Sequence, residues 1–265
     1  MQSVPLRLAG AVAGLLCCAA LAAPVASQTV AARDDESFRV LKLEGHQVRW
    51  SLPATAGPRV VTYRLVTDRQ AFPTARNCRG LAPLAGLAGA SGLPPTAVKA
   101  EAEAAFAMWE AVANVVFREA PEGGPADILI GAQTEPDGWA FADVFYETAS
   151  PEAVKPITQA LVCLNPVKPW KVGFNGDLKT YDLRYTLAHE IGHAIGLDHP
   201  PGANQIMNYR YEERFRALQP GDIRGAVALY GAPAPPALVA ASELPRGEAT
   251  AALSSGSTDG RALGK

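Results

Sequence analysis

The sequence predicts an α+β domain. Three observations carry that assignment. Strand-like and helix-like segments are mixed rather than strictly alternating, 48% of the 265 residues are hydrophobic, and three of the 4 histidines fall between His189 and His199, in and just after one helix. That apolar content supports a single core with tails. Lys+Arg number 24 against 26 Asp+Glu, a formal net charge of −2, so the basic excess that drives binding to nucleic acid or an acidic membrane is missing.

The chain opens with an expected export signal over residues 1–27. Arg7 precedes an apolar run from Leu8 to Ala23, and small residues suited to cleavage follow. The alternative is a membrane anchor, but the run is shorter than the roughly 20 residues a span needs and ends at Pro24 without a basic stop. Leu16 precedes Cys17, so neither Cys17 nor Cys18 reads as a lipidation site. The mature chain is therefore expected to be secreted or periplasmic, monomeric and without stable membrane association. Cleavage leaves Cys78 and Cys163, an even pair that favours a disulfide in an exported chain over two buried thiols. Residues 28–37 form a short lead-in and 38–231 the folded domain. The Ala/Pro/Ser-rich stretch 232–265 has no aromatics or periodicity, and is expected to be a disordered tail.

Within 38–231 the elements follow in order. Phe38 to Trp50 reads as two extended runs around a Glu44-Gly45 turn, and the β-branched stretch Arg59 to Thr67 as a strand. Residues 73–94 read as a Pro/Gly loop holding Cys78. Pro95 to Ala113 is a helix, with Val98, Ala102, Ala105, Phe106 and Trp109 at helical spacing. Val115 to Arg118, Asp127 to Gly131, Trp139 to Tyr146 and Ala160 to Leu164 are short strands. Asp182 to Ile195 is a second helix capped by Asp182, and Pro220 to Tyr230 a third, stopped by Gly231.

The second helix carries the chemistry. His189 and His193 are four residues apart and share a face, so both imidazoles can address one metal. Leu183, Leu187, Ile191 and Ala194 centre on the opposite face and point to the core. Glu190 is displaced sideways, where its carboxylate can serve as general base toward a water. Gly196 lets the chain leave in a left-handed conformation, turning His199 back to the same point. The protein has 4 His in all, and three fall in this pattern. Three His ligands with an open position describe a catalytic zinc site rather than a closed structural one.

The stretch HEIGHAIGLDH, His189 to His199, resembles the extended zinc motif of the metzincin metalloproteases. Met207 in Ile206-Met207-Asn208-Tyr209 is similar to their methionine turn, though Met also serves as plain core. The step from His199 to Met207 and the stretch LQPGDIRGAVALYG resemble the matrixins. A weaker likeness extends over roughly residues 40 to 231. The resemblance implies a twisted mixed sheet packed on two long helices with a C-terminal helix, one catalytic Zn2+, and a substrate-facing edge strand. Trp139 to Phe145 is the candidate edge, with an ordinary buried strand as the alternative. Pro200 and Tyr209 resemble serralysin details. Tyr209 is either an extra zinc ligand and transition-state donor or a wall residue, with Tyr211 a competing wall. Asp198 either braces the site or serves at the surface.

Other family features are not expected. Cys78 is misplaced for a latency switch, and only His46 remains for a second zinc. Asp137-Gly138 and Asn175-Gly176-Asp177 offer oxygens to Ca2+, although such clusters are mostly turns. The resemblance thus implies a secreted zinc endopeptidase acting on peptide or protein substrates, with His189, His193 and His199 on the metal and Glu190 as general base. The alternative is a catalytically silent zinc-containing binding module, against which the intact Glu190 speaks. Residues 200–216 would shape the selectivity pocket, and no preference is legible in them.

Overall fold

The computed structural model describes residues 37–53, 57–202 and 204–233. The chain separates into two units, Met1–Arg33 and Asp34–Lys265, and every described residue belongs to the second. The expected signal segment lies outside the described residues, as do nearly all of the lead-in and the tail.

The first extended runs form β1 (Arg39–Val40), β2 (Lys42–Leu43) and β3 (His46–Arg49). β2 and β3 make a hairpin whose two turn residues, Glu44 (φ 50°) and Gly45 (φ 86°), are both left-handed, the twist that a two-residue hairpin turn favours. Next come β4 (Arg59–Leu65), β5 (Gln70–Ala71), β6 (Gly80–Ala82) and α1 (Ala85–Ala90). β6 and α1 correct the expectation of a plain loop over 73–94. Leu81, Leu84, Leu87 and Ala88 are buried there, and that burial outweighs the weak local propensity of a Gly- and Pro-rich stretch.

α2 (Pro95–Glu110) buries the five residues whose spacing predicts its core face. The strands β7 (Val115–Glu119), β8 (Ile128–Gln133), β9 (Ala140–Tyr146) and β10 (Val154–Leu164) follow, and then β11 (Trp170–Lys171) and β12 (Tyr181–Asp182). α3 (Leu183–Ala194), β13 (Leu197–Asp198) and α4 (Pro220–Tyr230) complete the chain.

The main sheet runs β7, β4, β8, β10 with parallel neighbours, and β9 pairs antiparallel along the far side of β10. Among the described residues β9 pairs with no other strand, so it is the edge that the resemblance implies. β10 starts earlier than predicted because Val154, Lys155 and Pro156 find a parallel partner in β3, a pairing invisible in a local pattern.

Side chains alternate across the sheet and sort into two cores. Val61, Ile128, Ile130, Val162 and Leu164 face the helices. Leu129 and Leu161 face the opposite side, where they pack with Val66, Ala75, Cys78 and Leu81 of a strap spanning residues 66–84. The strap is tied to β10 by a Cys78–Cys163 disulfide, Cα atoms 5.7 Å apart. α2 packs on α3, where the Trp109 indole donates to Ala188 O at 2.9 Å. The last carbonyls of α3 also have partners: Trp50 Nε1 donates to Ala194 O and the Tyr230 hydroxyl to Ile195 O. Among the described residues no helix is long and apolar enough to cross a membrane.

The disulfide closes a span of 85 residues, so replacing both cysteines by Ala is expected to remove about 2–5 kcal/mol of stability. Urea denaturation of the two proteins checks this, and matching midpoints would contradict it.

Candidate metal centre and cleft

α3 starts where Asp182 accepts a hydrogen bond from Tyr185 N at 2.9 Å, an N-cap as the sequence predicts. Its apolar face, Leu183, Leu187, Ile191 and Ala194, is fully buried, which aims His189 and His193 the other way. The helix ends at Gly196, whose φ is +100° and whose missing side chain leaves room for Val48 O. The chain then turns, β13 pairs with β1, and His199 comes back to the pair. Asp198 braces this return by accepting His199 N at 2.8 Å.

The three Nε2 atoms meet. They lie 3.0 Å (His189–His199), 3.1 Å (His193–His199) and 3.2 Å (His189–His193) apart. The Nδ1 atoms of His189 and His193 lie 2.7 and 2.8 Å from the carbonyls of Ile206 and Leu197. A carbonyl only accepts, so each Nδ1 carries the proton and each Nε2 presents a lone pair. Burial pushes His189 well below the ordinary imidazole range and His193 down to about 4, with the neighbouring imidazoles adding to it, so both rings are neutral near neutral pH. Facing lone pairs repel unless something electron-poor sits between them. Tetrahedral nitrogens about 2.0–2.1 Å from a zinc ion are themselves about 3.3–3.4 Å apart, close to the spacing observed. Among the described residues these three are the group that could hold a metal ion.

Glu190 sits beside them, 6% exposed, with no hydrogen bond or ion pair among the described residues. Burial, reinforced by the charge of Asp143, raises its carboxyl to about 8. The cleft over these groups encloses about 840 Å³, bounded by β9 and by the strap tip at Thr74–Asn77.

Met207 lies 2% exposed under the helix, and Gly192 is the position that makes room for its sulfur: a Cβ there would collide with Met207 Sδ. The turn holding Met207 is fastened by Asp222 of α4. This carboxylate accepts from Ile206 N at 2.9 Å, Met207 N at 3.0 Å and Gln219 N at 2.8 Å. Asp222 escaped the sequence reading; its signal is the capping box that Gln219 and Asp222 form at the start of α4.

Tyr209 sets its ring edge against His199, centroids 5.2 Å apart, and is 79% exposed. Tyr211 has a different position. It stacks on Tyr181, donates its hydroxyl to Glu213 at 2.8 Å and accepts Asp182 N at 2.9 Å, so it is a fixed wall. His46 is exposed on β3, away from the triad. The two candidate calcium clusters are turns here. Asp137 accepts Gly138 N, and Asn175 and Asp177 bond to their own loop and to the ammonium of Lys171. Asp143, also missed in the sequence, is buried on β9 and accepts Asn77 N at 2.7 Å and Cys78 N at 2.8 Å.

Because Ile206 O orients His189 and Asp222 holds Ile206, Asp222→Ala is expected to lower zinc affinity about 10–100-fold. Competition with a chelator measures this, and unchanged affinity in a folded variant would contradict it.

Comparison with known proteins agrees with this geometry. The matrixin family model (Peptidase_M10) matches residues 87–231. Human matrix metalloproteinase-19 is 31% identical over 149 residues, covering 55% of this chain and 28% of that protein. Human matrix metalloproteinase-26 is 29% identical over 147 residues, covering 52% and 53%. Metalloendoproteinase 4-MMP of Arabidopsis thaliana is 30% identical over 148 residues, covering 52% and 42%. The chain thus spans between about a quarter and about half the length of these relatives. The N-terminal hairpin and the strap lie outside the family match.

Proposed function

Because the chain belongs to the matrixin family, whose model matches residues 87–231, we propose that it is an exported zinc endopeptidase with residues 38–231 as the catalytic unit. The single observation that carries this reading is the meeting of three Nε2 lone pairs beside an unpaired Glu190, under an open strand edge. His189, His193 and His199 hold the metal. When bound, zinc supplies Lewis-acid chemistry, acidifying a water and polarising a carbonyl.

The chain's own groups do the rest. β9 offers its free backbone edge to an extended peptide, which adds as one more strand. Glu190, buried beside the three imidazoles, takes a proton from the attacking water and delivers it to the leaving amine. Tyr209, exposed beside His199, donates its hydroxyl to the developing oxyanion. The Tyr181–Tyr211 stack bounds the pocket that receives substrate side chains. The disulfide supports an oxidising compartment, and with it removal of residues 1–27 on export.

Cleavage of a diverse peptide library, read by mass spectrometry, tests the reading. Glu190→Ala is expected to lower turnover by at least about 100-fold with zinc content unchanged. Full zinc with no cleavage by the wild type would instead favour the binding module. Tyr209→Phe should lower kcat by about 10–100-fold at constant zinc. A change under about twofold would leave Tyr209 as a wall residue.

A further inference from the structure

Of the described residues that line the cleft, Arg76 is the only Lys or Arg. It is exposed at the strap tip and makes no hydrogen bond, ion pair or ring contact among the described residues. The acidic groups around the cleft are otherwise engaged. Glu44 accepts the Tyr146 hydroxyl at 2.8 Å, and Asp198 holds His199 N and faces Arg39. Asp143 is buried under three N–H donors from Asn77 and Cys78. Glu190 is reserved for the proton.

The backbone that carries Arg76 is unusually well fixed. Asn77 and Cys78 are clamped to Asp143 in the middle of β9, and Cys78 is covalently joined to β10. The neighbouring Ala75 is buried, and Phe72 N donates to Arg79 O at 2.7 Å, closing the base of the loop. A guanidinium without a partner, on a backbone held this firmly over a cleft, is an arrangement for recognising a carboxylate: the backbone is already ordered, so only the side chain's own rotamer freedom is lost when it binds.

The alternation on β9 says which substrate side chains it would meet. Phe141 and Phe145 pack on the strap side and Asp143 bonds to it, whereas Ala140, Ala142, Val144 and Tyr146 face the helices. A peptide added to this edge alternates in the same way. Its helix-facing side chains enter the tyrosine-walled pocket, and its strap-facing ones pass beneath residues 74–77.

We propose that Arg76 reads an acidic side chain on the strap-facing side of the bound peptide, so that acidic segments are the preferred substrate class. This rests on the endopeptidase reading and deepens it.

The test uses extended peptide pairs that differ by Glu against Gln at alternate positions, centred on the cleavage site where cleavage occurs and scanned along the sequence where it does not. Their kcat/KM is measured with wild type, Arg76→Gln, Arg76→Lys and Arg76→Glu. In parallel, their affinity for the zinc-loaded Glu190→Ala chain, with and without Arg76→Gln, is read by fluorescence anisotropy at low and high salt. Wild type is expected to favour the Glu peptide about tenfold, the size of one charge-assisted hydrogen bond. Arg76→Gln should abolish that ratio, Arg76→Lys retain part of it and Arg76→Glu reverse it. The binding preference should shrink as salt is added. A binding ratio near one, or one unchanged by Arg76→Gln, overturns the proposal whether or not the wild type cleaves. Arg76-dependent binding without any cleavage would sustain it while overturning the endopeptidase reading.

Discussion

Three imidazole nitrogens that all present lone pairs to one another form an arrangement that folding alone does not favour. The rest of the site is organised to enforce it. α3 supplies two rings from one face, and the carbonyls of Ile206 and Leu197 fix both tautomers. Gly196 supplies the left-handed exit that returns His199. Each carbonyl belongs to a segment held from elsewhere: Leu197 through pairing of β13 with β1, Ile206 through the carboxylate of Asp222. The convergence of the three rings is therefore a property of five chain segments, α3, β13, β1, the Ile206 turn and α4, and none of them would hold it alone.

The cleft is assembled by the same economy of rigid parts. On one side, Asp182 and Glu101 share Arg216, and Asp182 also caps α3, so the wall around Tyr211 is tied to the helix that carries His189 and His193. Below the helix, Gly192 and Met207 interlock, and Trp109 packs against the same contact. Replacing such a buried Trp by Ala typically costs about 3–5 kcal/mol, which indicates how strongly α2 holds the helix in place. On the other side, the strap is held by a covalent bond and by Asp143. Substrate would thus enter between two preorganised rims over an edge strand whose backbone groups are available.

Much of this was legible in the residues themselves. The spacing of His189, His193 and His199, the left-handed Gly196, the Asp182 cap and the apolar face of α3 are local periodicities, and they appear as read. The Cys78–Cys163 pairing followed from counting the cysteines outside the expected signal segment. What escaped depends on contacts between distant segments. β6 and α1 are stabilised by a second core that Pro and Gly concealed. The start of β10 depends on pairing with β3. Asp143 and Asp222 are single carboxylates in stretches read for other features, and their importance lies in the N–H groups that folding brings to them. The contact of Lys171 with the oxygens of the Asn175–Asp177 loop was hidden in the same way, since Lys171 lies outside that cluster.

The central claim is that the three Nε2 atoms converge on one metal ion. Zinc K-edge absorption spectroscopy of the purified, zinc-loaded chain tests it most directly. The account predicts a first coordination sphere of three imidazole nitrogens at about 2.0–2.1 Å with a light oxygen donor in the remaining position. A sulfur ligand near about 2.3 Å, or fewer than three imidazoles in the first sphere, would contradict it.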